Sequence, residues 1–460
     1  MTTQSPTPLP WKQISILLAV RFAEPVAFTI FFPFMYQMVK SFHLSENSGD
    51  IAYYAGFVAS SFAIAQFISG VPWGMLSDKI GRRPVILLGL LGTASSLTLF
   101  GLSKSLPFAI VTRSLCGLLN GNVGVIKSMM AELTDNSNRA KGFSLLPMMF
   151  GLGSIVGPTL GGFLSEPVKS YPSLFIEDTL LKRFLSEFPY FLPCFVSSSL
   201  CLIGCIFGYF YLEETLESKI ISRNTSKESL LTQEGRRETY NSISINKEDD
   251  QNIPKASWVT MLGYIGLSLQ TVMIDELFPV WASTYQVDGG LGFKPPQIGT
   301  LFAYGGVALL VIQILFYTPI QQKFGSLKLY QMVYFVYTPI LMLYPIAASF
   351  HSKTLWAYLL FLTTFRTACG VFAFTSANIL IAETCPNKKI LGKVNGIAQC
   401  LGSLMRAAGP TLAGVAYSWS LKNSSQYIIF KYPFTWILIA IISFINLIVA
   451  RFISPNDLLE

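Results

Sequence analysis

Twelve apolar windows recur along the 460 residues, each about 20 positions long and thus long enough to cross a bilayer core of about 30 Å as a helix. They fall at about 14–38, 51–75, 84–102, 107–131, 143–165 and 191–212, and then at about 258–284, 297–320, 327–349, 354–382, 393–418 and 432–454. No other feature constrains the chain as strongly. Water in the hydrocarbon region is too scarce to satisfy free backbone groups, so each window must be helical. An all-α integral membrane protein with twelve transmembrane helices is therefore expected. Composition agrees, since 52% of residues are hydrophobic and only 13% are charged, about half the charged share of a typical soluble domain. A water-soluble enzyme is thereby excluded.

Polarity is concentrated between the sixth and seventh windows, where Glu213 to Ser257 holds 16 charged residues in 45. The expected organisation is a first six-helix half over residues 1–212, a charged linker over 213–257, and a second six-helix half over 258–460. Such a Ser-, Thr- and charge-rich linker is expected to be disordered and open to phosphorylation. The halves repeat each other in detail. Arg113-Ser-Leu-Cys-Gly117 matches Arg366-Thr-Ala-Cys-Gly370, and Gly157-Pro-Thr-Leu-Gly161-Gly162 matches Gly409-Pro-Thr-Leu-Ala413-Gly414, at offsets of 253 and 252. Two matches in one order at nearly one offset point to a duplicated unit whose halves run in parallel, with both termini on one side. Lys and Arg number nineteen in the segments on the side of the termini against nine in the alternate loops, which places the termini and linker in the cytosol. Seven of the nineteen lie in the linker.

The net charge of +8 is then a topology signal rather than a nucleic-acid footprint, and no nucleic-acid partner is expected. The seven cysteines lie mostly in apolar runs and read as small hydrophobes; Cys201 and Cys205 share a helix spacing, but packing is favoured over a metal pair. No metal cluster, phosphate-binding loop or catalytic triad pattern is present in the sequence, so neither a metal nor a cofactor is expected and any driving force must come from ion or solute gradients. Glu166 to Tyr190 is expected to be an outer or lumenal loop with an interfacial helix.

Charge inside a span is costly and points to function by default. Arg21 and Glu24 lie three apart on the first span, followed by Pro25. There burial opposes the carboxylate's charge while Arg21 or Arg113 favours it, so Glu24 is the first choice for proton carrier. A static Arg21–Glu24 ion pair is the alternative. Arg113, Asn120 and Lys127 recur every seven residues, which predicts one polar face on the fourth span lining the cavity. Asp275 and Glu276 form a second acidic site on the seventh span, and Arg366 and Arg406 fall inside the tenth and eleventh. Five intramembrane cations against three acids favour an anionic or zwitterionic solute.

Two strings carry a resemblance. Gly74-Met-Leu-Ser-Asp78-Lys-Ile-Gly81-Arg82-Arg83-Pro84 joins the second and third spans and resembles the loop signature of the major facilitator superfamily, which implies a cytoplasmic gate built from Asp78 and the arginines. At the matching place in the second half, Gln322 stands where the acid would be. Gly151-Leu-Gly153-Ser-Ile-Val-Gly157-Pro158-Thr-Leu-Gly161-Gly162 is similar to the signature of the superfamily's drug–proton antiporter branch. Arg113 with Asn120-Gly-Asn122 resembles the fourth-helix motif associated with proton coupling. Arg21-Phe-Ala-Glu24-Pro25 and Gly289-Gly-Leu-Gly-Phe293 are similar to a fungal group related to the plant zinc-induced-facilitator-like transporters. The resemblance implies a monomeric secondary transporter in the lipid bilayer that exchanges protons for a small organic solute by alternating access. A vacuolar or other endomembrane is favoured, with the plasma membrane as alternative. An uncoupled facilitator and a non-transporting solute sensor are the competing readings.

Overall fold

The computed structural model describes residues 7–135, 138–175, 179–216, 253–385, 391–423 and 434–454; most of the expected linker lies outside them. The described residues are helical in long runs. In chain order they are α1 Trp11–Thr29, α2 Ser48–Ile80, α3 Arg82–Gly101 and α4 Leu106–Leu133. Next come α5 Arg139–Leu164, α6 Phe191–Tyr211, α7 Lys255–Ser283, α8 Pro295–Phe324 and α9 Ser326–Ser349. The last three are α10 Ser352–Glu383, α11 Leu391–Lys422 and α12 Phe434–Arg451.

Nine of these helices are long and apolar enough to cross a membrane by themselves. The other three are α1, α5 and α11. In α1 the apolar run is broken by Arg21 and Glu24, and α5 and α11 are rich in glycine and serine. Those three pack inside the bundle, so their polarity serves helix contact and not lipid contact.

Contacts fall into two similar sets. Within the first six helices α1 packs on α5 and α6, α2 on α4, and α3 on α4 and α6; within the last six α7 packs on α11 and α12, and α9 on α10 and α12. The two sets meet along α2 against α11 and α5 against α8. An aromatic stack fixes the second set, with the ring centroids of Tyr344 and Trp436 4.6 Å apart and Trp281 edge-on to both.

Two helices are interrupted where their local sequence cannot continue the ladder. In α4 the break falls at Asn120–Gly121, where Gly121 lies so close to the Trp73 ring that a β-carbon would overlap it. In α8 the run Ile312–Tyr317 is wound as a π-helix just before Pro319, whose missing N–H disturbs the bonding of the preceding turn. Between Glu166 and Tyr190 the structure has a short helix, Leu180–Glu187, with Leu180 and Leu181 exposed.

Candidate functional site

The links between the two helix sets gather at the end away from the termini. Gln37 donates to Ser283 Oγ at 2.9 Å, Ser48 donates to Asp288 at 2.7 Å, Lys40 meets Tyr285, and Lys422 pairs with Asp50 at 2.5 Å. Deeper in, the backbone N–H of Thr411 donates to Ser60 Oγ at 2.9 Å. Glycines allow the closest approach: Gly162 faces Gly299 and Pro295 across α5 and α8, and Gly56 faces Gly414 and Pro410 across α2 and α11. Toward the termini the walls part. Gly124 and Gly370 have no neighbour within 4 Å of a β-carbon position, and Met148 and Phe150 on α5 are exposed. The described links between the two helix sets are therefore concentrated at the end away from the termini.

Arg113 is fully buried between the helices. Its guanidinium lies 3.9 Å from the ring centroid of Phe31, 4.7 Å from Phe62 and 5.7 Å from Phe100. Because α1 ends at Thr29, its last carbonyls lack helical donors, and that of Phe28 accepts from Arg113 Nη2 at 3.1 Å. The remaining Nε and Nη1 have no hydrogen-bond partner among the described residues. Glu276, from the other half, lies within its electrostatic reach. Glu276 is only 2% exposed, and neither carboxylate oxygen finds a hydrogen-bond partner among the described residues. Its neighbour Asp275 is placed differently, half-exposed and paired with Arg366 Nη1 at 3.2 Å.

Closer to the N-terminal end of α1, Arg21 and Glu24 form the i, i+3 ion pair, both buried, with the Arg21 guanidinium 5.9 Å from the Phe150 ring centroid. Lys127 of α4 lies within electrostatic reach of Arg21, Glu24 and Arg406 of α11. Arg406 donates to Ser403 Oγ at 2.7 Å on its own helix. Asn120 does not join them. The break in α4 turns it into the packing against α2, where its backbone carbonyl accepts from Gln66 at 3.2 Å and its side-chain oxygen is buried without a partner. The seven-residue rhythm of Arg113, Asn120 and Lys127 therefore does not make one continuous cavity face, because the helix that would align them is interrupted at its midpoint.

The α2–α3 loop is a charge network. Arg82 donates to Asp78 at 2.5 Å, to Ser77 Oγ at 2.7 Å and to Glu132 of α4 at 2.9 and 3.0 Å. The Glu214 carboxylate accepts from the backbone N–H groups of Arg82 and Arg83 at 2.9 and 3.1 Å, so an anion caps the start of α3. Gly81 must be glycine on two counts: its φ is +110°, and a β-carbon would meet the Glu214 carboxylate at 2.3 Å. Gly74 has open space around it. Arg83 bonds the Tyr209 carbonyl and lies over that ring. Sequence reasoning missed Glu214; the signal was an acidic pair, Glu213-Glu214, directly after a span.

Along α5 the glycines make a groove for α1. Gly153 meets Pro25, Gly157 meets Thr29 and Val26, and Gly161 meets the Ile30 carbonyl, while Gly162 turns to α8 with Pro158 beside it. A β-carbon at Gly151 would have only Leu309 of α8 within 4 Å, at 3.8 Å. The far-end pairs Asp50–Lys422, Ser48–Asp288 and Lys40–Tyr285 were not legible in sequence, since each joins residues more than 200 positions apart.

Residues 17–410 match the Major Facilitator Superfamily. The chain is 32% identical to the major facilitator superfamily multidrug transporter mfsB of Aspergillus fumigatus, over 91% of this chain and 80% of that protein. It is 30% identical to the protein ZINC INDUCED FACILITATOR-LIKE 1 of Arabidopsis thaliana, over 90% of this chain and 85% of that one. Among solved structures, the human organic anion transporter MFSD10 superposes with a TM-score of 0.60 at 18% identity, covering 96% of this chain and 100% of that one. A D-xylose-proton symporter gives 0.71 at 14% identity, covering 98% and 99%.

Proposed function

Since the chain belongs to the major facilitator superfamily, and is thereby a membrane transporter of a small solute and not an enzyme, we propose that it exchanges that solute for protons. The halves are a duplicated six-helix unit that rocks about the site between Arg113 and Glu276, with the termini cytosolic and the described state facing inward. The observation that carries proton coupling is Glu276. A buried carboxylate without a single hydrogen bond is expensive when charged, so in this state it holds a proton. When the far side opens, water reaches it, the proton exchanges, and the carboxylate turns to Arg113 as its charge partner. Glu24, already held by Arg21, takes the lesser role of a structural ion pair.

The solute is small, organic, and anionic or zwitterionic, because cations outnumber acids around the cavity; the printed name of MFSD10, an organic anion transporter, is in keeping with that. Export or vacuolar sequestration fits relatives named as a multidrug transporter and a zinc-induced facilitator-like protein. An endomembrane is the favoured compartment and a monomer the working unit. The test is solute-evoked proton movement in sealed proteoliposomes carrying a trapped pH dye. Glu276→Gln should abolish the proton signal and keep solute counterflow, whereas Glu24→Gln should keep both. Normal coupling in Glu276→Gln would remove it as the carrier, and solute flux without proton movement in the wild type would make the protein an uncoupled facilitator.

A further inference from the structure

The short helix Leu180–Glu187 carries an apolar stripe that the fold covers over only part of its length. It begins on a cap, the Thr179 hydroxyl accepting from the Lys182 N–H at 3.3 Å, and ends on the ion pair of Glu187 with Lys104 between α3 and α4. At helical spacing Leu180, Leu181, Phe184, Leu185 and Phe188 fall on one side, and Lys182, Arg183, Ser186 and Glu187 on the other. The C-terminal part of the apolar side is packed. Leu185 is buried, the Phe184 ring is edge-on to that of Phe191 with centroids 5.0 Å apart, and Phe188 holds the Lys104 ammonium 4.4 Å from its ring centroid. The N-terminal part overhangs, with Leu180 88% and Leu181 59% exposed.

What meets the overhang is set by α6. Phe191 stacks on Phe195 with centroids 5.4 Å apart, and Phe195 heads a row of exposed side chains, Leu202, Ile206 and Phe210, at helical spacing along one face. Because α6 is long and apolar enough to cross a membrane, that row is its lipid-facing side. The ladder from Phe184 through Phe191 to Phe195 therefore fastens the short helix to the lipid-facing side of α6, at the end of the span away from the termini. We propose that Leu180–Glu187 lies in the bilayer interface of that leaflet, with Leu180 and Leu181 among the upper acyl chains and Lys182 and Arg183 at the level of the headgroups. The partner is the lipid surface itself. So short a helix needs no membrane affinity of its own, since the aromatic ladder already delivers it to the interface. Through the Lys104–Glu187 pair it holds the α3–α4 corner and the start of α6 at one depth.

The test places a bimane fluorophore on single introduced cysteines in the full chain, reconstituted in phosphatidylcholine nanodiscs, with the exposed Cys400 replaced by serine. The label sites are Leu181, Arg183 on the polar side, and Ile203 midway along the lipid-facing side of α6 as the deep reference; all three are exposed, so the label displaces no packing. Quenching is read with iodide in water, with a lipid carrying a nitroxide near the glycerol backbone, and with one carrying it at the chain end. At position 181 the shallow nitroxide should remove the most fluorescence and iodide little. At position 183 iodide should dominate, and at position 203 the chain-end nitroxide. Iodide quenching at 181 equal to that at 183 would put the leucines in water. Protection from all three quenchers would put protein over them, and strongest quenching by the chain-end nitroxide would put the helix in the hydrocarbon core. Each of these three results would overturn the interfacial placement.

Discussion

The duplicated pattern in α5 and α11 does different work in the two halves. In α5, Gly153, Gly157 and Gly161 lie directly against the backbone of α1, and a β-carbon at Gly161 would stand 1.8 Å from the Ile30 carbonyl oxygen. At the matching place in α11 stands Ala413, buried and accommodated. A β-carbon at Gly409 would stand 3.0 Å from the Val272 side chain, a looser fit than at Gly157, where it would stand 2.2 Å from Thr29 Oγ1. Where the two copies agree is at their ends, since Gly162 seals against Gly299 and Gly414 against Gly56 and Ala52. In this pair of matching strings glycine stands in both copies where the two helix sets meet, whereas inside a set Gly161 is matched by Ala413. The α2–α3 and α8–α9 loops differ in the same way. Arg82 is held by Asp78 and Glu132, whereas Ser326 occupies its place and reaches Glu383 at 3.5 Å.

The largest effect should come from forcing the tight copy to resemble the loose one. Gly161→Ala must push α1 and α5 apart at a carbonyl that cannot rotate away, and should lower stability by about 3 kcal/mol. The reverse change, Ala413→Gly, adds only the cost of a helical glycine, about 1 kcal/mol. Melting of the two purified variants checks this, and equal losses would erase the contrast between the copies. Next, Arg82→Gln strands Glu132 and removes the link from α4 to the loop. Because Asp78 is 65% exposed and water replaces its partner, the expected loss is about 2 kcal/mol and not the full cost of a broken buried pair. A smaller effect belongs to the seals. Gly162→Ala should leave each half folded but disfavour the closed far end, raising labelling of a far-end cysteine by roughly tenfold, or about 1.4 kcal/mol. Gly414→Ala, whose β-carbon would meet backbone at 2.8 Å instead of 2.6 Å, should do the same to a lesser degree.

Apolar length and the charge-poor spans made the helices legible, because a bilayer leaves the backbone no alternative. The loop network was legible in part. Asp78 and Arg82 share one short string, but Glu132 and Glu214 arrive from 50 and 132 residues away. Asn120 was misread, since a heptad rhythm assumes an unbroken helix and Trp73, far back in sequence, occupies the space beside Gly121. The contrast between Asp275 and Glu276 was hidden for a related reason. Two adjacent acids on one helix differ by 100° in direction, and only the packing decides that one meets Arg366 while the other is left without a partner.

The smallest effect is the most discriminating test of what the second loop lacks. Gln322 occupies the place of Asp78 and is exposed. If the acid alone made the network, Gln322→Asp would stabilise the second half. The geometry argues otherwise: in the first loop the hub is Arg82, which holds Asp78 on one side and Glu132 on the other, and the second loop has Glu383 but no cation at the hub. Gln322→Asp by itself should therefore change stability by less than about 0.5 kcal/mol. Ser326→Arg by itself gains Glu383 but places a larger side chain at a buried position, so its net effect is also small. Together the two changes rebuild both arms, and a double-mutant cycle should give a favourable coupling of about 1 kcal/mol. A coupling near zero would mean that the first loop's strength comes from Glu214 capping the start of α3, and not from the arginine bridging two acids.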